Sequence, residues 1–285
     1  MKTPIVLLVA LFMVLVCHAV GASNVMELNN YENKSVKFDN YKLEKSCTRK
    51  NGCEIALKYN NKLIKSIPCA DDINNQNQID TCDAFIYRLK NCDYVVLFQI
   101  SGGGAHDINS YQLFHLGRNG HIEILLDSNQ YLTDGHWLMK DLDNDGVPEL
   151  IDTNRPFDNV DDLKAKRTEV DYIFRYEKKL NRYIPANERY FKTYFRKKIA
   201  EHLADLKEDK DDYVSAIELS SIYWFSGNLV DGMKEYANKC NLENKWEIFS
   251  SVCDDLKQNP YMRFIYKGDI QKAINNSRMN AVEKK

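Results

Sequence analysis

Residues 141–152 read "DLDNDGVPELID", a stretch that holds the acidic side chains of Asp141, Asp143, Asp145, Glu149 and Asp152. Carboxylates this close together repel and raise one another's pKa, which a folded loop seldom tolerates without a cation. Calcium is a hard cation that takes about six to eight oxygen ligands from carboxylates and carbonyls. The residue types and their spacing therefore point to a calcium site.

Acids at alternate positions can all point inward in a tight loop, and Gly146 permits the turn that brings the chain back. Two other interpretations remain open at this point: a solvated turn favoured by asparagine and glycine, and a catalytic metal. The predicted calcium ligands are the carboxylates of Asp141, Asp143, Asp145 and Glu149 and the carbonyl oxygen of Val147.

An EF-hand loop begins in the same way, but the following residues argue against one. Asp152 stands at the twelfth position, where an EF-hand has an acid. Pro148, however, stands at the eighth position and has no N–H to donate. The flanking segments "HWLMK" and "ELIDTN" have the composition of strands, whereas an EF-hand has a helix on each side.

The stretch is similar to the loops of FG-GAP and VCBS-type repeats, whose pattern is D-x-D-x-D-G-x-x-D/E followed by a short apolar strand. Here the pattern is met by "DLDNDGVPE" and then "LID", and the resemblance extends over about residues 94–156. In that family the loop joins two strands of a propeller blade and binds calcium. The resemblance implies the same role for Asp141, Asp143, Asp145 and Glu149.

The family repeats the motif in every blade, whereas this chain carries it once. The β region has room for only two or three four-stranded units, so a closed propeller is not expected. The arrangement looks like that of exported bacterial proteins of unassigned function with a single loop of this kind. The resemblance thus implies a site without implying an activity.

Residues 1–22 have the layout of a signal peptide, with Lys2 before an apolar run and small residues up to Ala22. Two alternatives are an uncleaved membrane anchor and a lipid anchor on Cys17, although Val16 is larger than a lipoprotein signal prefers. No second apolar run is long enough to span a bilayer. We therefore expect a secreted or periplasmic protein with no membrane span after cleavage.

The net charge of −2 becomes −3 when Lys2 is removed (−2 − 1), so no basic field for nucleic acid is present. An exported chain with this many cysteines is expected to form disulfides. Pairs at 47 and 53 and at 240 and 253 are conceivable, and the connectivity stays open. The spacings do not suit zinc. The cysteines of the mature chain are Cys47, Cys53, Cys69, Cys82, Cys92, Cys240 and Cys253.

Residues 23–185 have mostly the short periodicity of strands and predict an antiparallel β-meander domain. Turns are expected at Asn60-Asn61, at Asn119-Gly120 and around Lys178-Lys179. The apolar run "DYVVLFQIS" predicts a central strand. A turn centred on Asn119-Gly120 would place Arg118 opposite His121, which keeps His115 and His121 from forming a zinc pair.

Residues 186–275 predict an α-helical domain, and residues 276–285 a flexible tail. In "NERYFKTYFRKKIAEHLADLKE" an apolar stripe predicts a helix packed against a core. The stripe consists of Tyr190, Phe191, Tyr194, Phe195, Ile199 and Leu203. The fold class predicted for the whole chain is therefore α+β, with a propeller-blade-like sheet that is not a closed propeller.

The segment "SGGGAHD" at 101–107 is the only other candidate for chemistry. Its glycines could expose backbone amides to an anion, and His106 could act as a base with Asp107 nearby. It lacks the ending of a P-loop, and a flexible connection between strands is the favoured interpretation.

We predict an exported calcium-binding protein that acts as a non-enzymatic binding or interaction module, with calcium in a structural role. Its partner would be an unidentified protein or glycan. The alternative is a secreted or periplasmic hydrolase with a cleft near the 101–107 loop and His106 as its catalytic residue.

Overall fold

The computed structural model describes residues 25–28, 35–48, 52–68, 81–89, 93–101, 109–127, 136–157, 160, 163, 168–209, 212–267 and 269–275. The predicted signal peptide at 1–22, the loop residues His106 and Asp107, and the predicted tail at 276–285 lie outside these ranges. Within them, no helix is long and apolar enough to cross a membrane.

The chain forms thirteen described strands followed by helices. The strands are β1 Val25–Leu28, β2 Ser35–Phe38, β3 Tyr41–Thr48, β4 Gly52–Tyr59, β5 Lys62–Pro68, β6 Thr81–Arg88, β7 Tyr94–Ser101, β8 Asn109–Leu116, β9 Ile122–Asp127, β10 His136–Lys140, β11 Glu149–Asn154, β12 Val170–Glu177 and β13 Arg182–Pro185. The helices are α1 Asn187–Tyr190, α2 Tyr194–Glu208, α3 Tyr213–Phe225, α4 Leu229–Lys239, α5 Lys245–Gln258 and α6 Pro260–Ile265.

The strands form three open sheets. Their orders are β1-β6-β7-β8-β9, β2-β3-β4-β5 and β10-β11-β12-β13. The second and third are antiparallel meanders, and β1 pairs antiparallel with β6. The predicted α+β class is confirmed, and none of these sheets closes on itself within the described residues.

The predicted turns lie where the sequence placed them, and β7 occupies the centre of its sheet. The β8–β9 register is nevertheless shifted by one residue from the prediction. Gly117 donates its amide to the His121 carbonyl at 3.0 Å, and Gly120 donates to the Gly117 carbonyl at 3.1 Å. Gly120 has a φ of 82°, so the connection is a three-residue turn with a bulge at the glycine.

The described residues fall into two compact units. The first contains the described parts of 1–69, 82–98 and 114–123, and the second contains residue 81 and the described parts of 99–113 and 124–285. The sheet β10–β13 therefore belongs with the helices. The reason is packing, since Ile151 and Ile173 of this sheet share an apolar core with Tyr190, Phe195 and Ile222 of the helices.

Residues that follow β13 bond to the backbone of β12, which allows the helices to begin directly after the last strand. β13 ends at Pro185, whereas β12 continues alongside residues that have left the sheet. Ala186 donates its amide to the Ile173 carbonyl at 2.8 Å, and the Asn187 Oδ1 accepts the Ile173 amide at 2.7 Å. The buried Tyr261 hydroxyl of α6 also donates to the Ile173 carbonyl, at 2.8 Å. These groups satisfy backbone polar atoms that burial would otherwise leave unpaired.

The predicted apolar stripe forms part of this core, but two helices carry it instead of one. Helix α1 ends at Tyr190 and α2 begins at Tyr194. Tyr190 and Phe195 are buried, and Phe191, Tyr194 and Ile199 pack against the same cluster. Leu203, at the far end of the predicted stripe, is half-buried and is not part of this cluster.

Buried charges also connect the sheet to the helices. Asp171 of β12 is 3% exposed, and it accepts hydrogen bonds from Thr153 at 2.7 Å and Tyr194 at 2.8 Å. Lys198 of α2 forms an ion pair with the same carboxylate at 2.5 Å. A buried carboxylate with this many partners is satisfied, whereas an unpaired one would cost several kcal/mol.

His202 and Glu218 lie beside this pair on α2 and α3. The His202 Nδ1 is 3.6 Å from the Glu218 Oε2, which is too long for a hydrogen bond. Burial raises the pKa of Glu218 to about 7, and burial together with Lys198 lowers the pKa of His202. Both shifts favour the neutral form, so this contact is not an ion pair at neutral pH.

The cysteines of the helical region are thiols. Cys240 and Cys253 are both free and buried, so the pairing considered from the sequence is not formed. Cys53 of β4 and Cys82 of β6 each take part in a disulfide. Cys53 stands opposite Cys47 in the β3–β4 register.

Gly232 allows α3 and α4 to pack closely, and we expect Gly232→Ala to destabilise the protein. A Cβ at this position would lie 2.4 Å from the Trp224 Cδ1 and 2.8 Å from the Ser220 carbonyl. The clash should cost about 1–3 kcal/mol, although alanine is otherwise the better helix former. Urea denaturation measures the effect. The exposed Asn238→Ala on the same helix is the control, and equal stabilities of the two variants would contradict the packing argument.

Glu218→Gln should remove a pH-dependent cost of folding. Between the ordinary glutamate pKa of 4.5 and about 7, the folded state holds a proton on Glu218 that the unfolded chain has lost. Stability from this group therefore falls as pH rises through that window. The variant should gain up to about 3 kcal/mol over the wild type between pH 4.5 and 7.5.

The measurement is the difference in unfolding free energy between the variant and the wild type across that pH range. The lowered pKa of His202 makes the stability of both proteins rise with pH, and taking the difference removes this shared contribution. Glu201→Gln, at a side chain that is 55% exposed, is the control and should show a flat difference. If the difference for Glu218→Gln did not change with pH, the raised pKa of Glu218 would be refuted.

Candidate metal centre

The acidic loop connects two neighbouring antiparallel strands. Lys140 at the end of β10 stands opposite Glu149 at the start of β11, so residues 141–148 form the connection between them. The sequence prediction that both flanks are strands is confirmed. This placement differs from that of an EF-hand loop, which lies between helices.

The loop folds on itself through bonds from backbone amides to its own carboxylates. Gly146 donates to the Asp141 Oδ2 at 2.9 Å, and Val147 donates to the Asp145 Oδ1 at 2.8 Å. Gly146 has a φ of 91°, and Asn144 has a φ of 61°. Asparagine and glycine adopt this left-handed conformation at low cost, which explains their presence between the acids.

Three of the four predicted acidic ligands come together. Asp141, Asp143 and Glu149 each place one carboxylate oxygen within 4.8 Å of the others. Glu149 is only 1% exposed, and its Oε2 accepts the Leu142 amide at 2.7 Å. Asp145 lies outside this group. The Val147 carbonyl stays a predicted ligand.

One oxygen in the group has no hydrogen-bond partner among the residues that the structure describes. The Oδ1 of Asp141 is buried and accepts no hydrogen bond from any described residue. A buried polar atom left in this state costs about 1–3 kcal/mol. An oxygen-preferring cation would satisfy it, so these residues fit the metal that the sequence predicts.

Three residues that the sequence analysis missed face the loop. Arg189 and Tyr190 of α1 contact the Asp143 Oδ2, the guanidinium at 3.0 Å and the hydroxyl at 3.3 Å. Arg175 of β12 lies 3.5 Å from Asp143 and 3.3 Å from the Asp145 Oδ2. These positions are about 30 to 50 residues away in sequence, and no local pattern marks them.

The electrostatic environment shifts the pKa values of Asp143 and Glu149 in opposite directions. Burial would raise the pKa of Asp143, but Arg189, the Asp145 amide and Arg175 outweigh it and hold that pKa below its usual value. Burial raises the pKa of Glu149, and the charges of Asp143 and Asp145 add to the shift. The two arginines therefore compensate the charges of Asp143 and Asp145, which lie at the outside of the loop. The buried Glu149 contacts neither arginine and remains close to these two negative charges.

The remaining predicted residues lie elsewhere. Asp152, the last acid of the stretch, is buried and accepts a hydrogen bond from Tyr111 at 2.8 Å. His115 lies 3.3 Å from Asp93. The candidate catalytic residue His106 lies outside the described residues, so the hydrolase alternative stays a prediction.

Comparison of the chain with protein-family models, with curated proteins and with solved structures gives no match.

Proposed function

We propose that the chain is an exported calcium-binding protein, and that the ion stabilises the β10–β11 connection of a non-enzymatic binding or interaction module. The observation that carries the proposal is the group formed by Asp141, Asp143 and Glu149, in which the buried Asp141 Oδ1 accepts no hydrogen bond from the described part of the chain. Calcium prefers such a set of oxygen ligands.

The resemblance to FG-GAP and VCBS-type loops supports the same assignment. The carboxylates of Asp141, Asp143 and Glu149 and the Val147 carbonyl would hold the ion. Asp145 would join them if it exchanged its Arg175 contact for the metal.

Calcium would act here through charge. The loop and the start of β11 carry four carboxylates beside two guanidinium groups, and one of these carboxylates, that of Glu149, is buried. A divalent cation would balance the remaining two negative charges, and its bonds to the acids would hold the ends of β10 and β11 together. This is a structural role, and it requires no reacting group.

Calcium should stabilise the protein, and Glu149→Gln should abolish that effect. At 100 times its dissociation constant the ion would add about 2.7 kcal/mol to the unfolding free energy. The measurement is the melting temperature in millimolar calcium and in excess EDTA. Glu243→Gln, an exposed change in the same unit, should keep the full calcium response.

Asp141→Asn serves as a second variant, because it keeps the side-chain shape and the acceptor for Gly146. Both loop variants should fold without calcium, since each removes a repelling charge. A wild-type melting temperature that is the same in calcium and EDTA would refute the calcium proposal.

Arg189→Gln should tighten calcium binding. Its guanidinium competes with the ion for the Asp143 Oδ2, and removal of one positive charge at this distance should raise the affinity about three- to tenfold. Isothermal titration calorimetry with calcium measures the change. Arg196→Gln, at an exposed position of α2, is the matched control. Weaker binding by Arg189→Gln would contradict the proposed competition.

A further inference from the structure

We propose that a pocket in the first unit binds a neutral monosaccharide unit. The pocket has a volume of about 220 Å³. It is lined by Asp39, Asn40, Tyr41, Tyr59, Tyr94 and Arg118. All of these residues belong to the first unit, whereas the acidic loop belongs to the second. The proposal extends the proposed role as a binding module and does not use the calcium site.

Three turns build the pocket. Asp39 lies in the turn between β2 and β3, and its φ of 45° is left-handed. The turn between β4 and β5 uses Asn60, with a φ of 48°, and its amide donates to the Asn40 carbonyl at 2.8 Å. The β8–β9 turn contributes Arg118. Aspartate, asparagine and glycine at such positions fix the paths of the turns.

Hydrogen bonds fix the three tyrosines. The Tyr41 hydroxyl donates to the Gly117 carbonyl. The Tyr59 hydroxyl donates to the Arg118 carbonyl at 2.6 Å, and the Tyr94 hydroxyl donates to the Asp39 Oδ2 at 2.7 Å. A wall that is already ordered loses little entropy when a ligand binds.

Gly120 explains how Tyr59 reaches its position. A Cβ at residue 120 would lie 2.7 Å from a carbon of the Tyr59 ring, so only glycine lets the ring lie against this turn. The sequence signal Asn119-Gly120 therefore has a second consequence besides the hairpin. It places a half-buried tyrosine ring at the edge of the pocket.

The rim has the chemistry of a site for hydroxyl groups. Asp39 supplies a carboxylate that accepts hydrogen bonds, Arg118 a guanidinium that donates, and Asn40 a carboxamide that does both. All three side chains are exposed at the rim. Sugar hydroxyls both donate and accept, and the apolar face of a sugar ring packs on an aromatic ring such as Tyr59.

Charge and exposure favour a neutral ligand over a cation or an anion. Among the lining residues, the carboxylate of Asp39 and the guanidinium of Arg118 together carry no net charge. An aromatic cage for a quaternary ammonium needs open ring faces. Tyr41 and Tyr94 are only 2% and 4% exposed, so they form the floor instead. Burial, with the neighbouring Tyr59, raises the pKa of Tyr41 to about 12, which keeps its phenol uncharged.

Size limits the ligand to one sugar unit. Pockets for drug-sized molecules have volumes of about 300–1,000 Å³, and this one is smaller. The small volume and the exposed position of the polar side chains at the rim predict millimolar affinity. A longer glycan would place one residue in the pocket and leave the others outside it.

The test is titration of the mature chain with neutral hexoses, pentoses and N-acetylhexosamines, followed by NMR of the tyrosine ring signals. At least one sugar should shift signals of Tyr41 or Tyr59 with millimolar affinity. Asn40→Ala and Arg118→Ala should each weaken binding at least fivefold and leave the melting temperature unchanged. Lys37→Ala, an exposed change on β2, should bind as the wild type does.

Asp39→Asn provides a further variant, because asparagine tolerates the left-handed backbone and still accepts the Tyr94 hydrogen bond. It too should weaken binding. The absence of any shift of the tyrosine signals with every sugar at about 50 mM would overturn the proposal. So would undiminished binding by the Asn40→Ala, Arg118→Ala double variant, or a response to free glycine or tetramethylammonium in place of sugars.

The same titration in excess EDTA separates this proposal from the calcium proposal. The affinity for sugar should be unchanged, because none of the lining residues belongs to the acidic loop. Loss of sugar binding in EDTA would overturn the assignment to this pocket. Sugar binding by a protein whose stability ignores calcium would overturn the calcium proposal alone.

Discussion

The second unit depends on the burial of carboxylates in its sheet. Glu149, Asp152 and Asp171 lie on the adjacent strands β11 and β12, and each is at most 3% exposed. A buried charge is tolerated only with partners, and here the partners come from distant segments. Tyr111 bonds to Asp152, Lys198 pairs with Asp171, and a loop amide bonds to Glu149. The need to satisfy these groups connects the sheet, the preceding strands and the helices.

The carboxylates of the acidic loop also have partners among the described residues, except for one oxygen of Asp141. The outer acids of the loop are neutralised by Arg175 and Arg189, while the Asp141 Oδ1 remains buried without a described partner. Arginines and calcium would therefore share one set of carboxylates. The affinity for calcium would then depend on the balance of nearby charge, so the arginines that compensate the loop would also tune its response to the ion.

The local parts of the structure were predictable because short-range chemistry decides them. The composition of the flanking segments predicted strands on both sides of the loop, and Asn119-Gly120 marked a hairpin. The exact register of that hairpin was not predictable, since Gly120 adopts a bulge that moves the pairing by one residue. A single residue in a turn has more than one low-energy conformation, and the flanking strands select among them.

The sequence by itself determined the α+β class, the turn positions, and the crowding of acids between two strands. Only the tertiary structure decided what faces those acids, because Arg175, Arg189 and Tyr190 reach them across tens of residues. It also decided that the last sheet packs with the helices, and that three turns meet around a small pocket. Periodicity and turn chemistry act over a few residues, whereas such contacts depend on how whole elements pack.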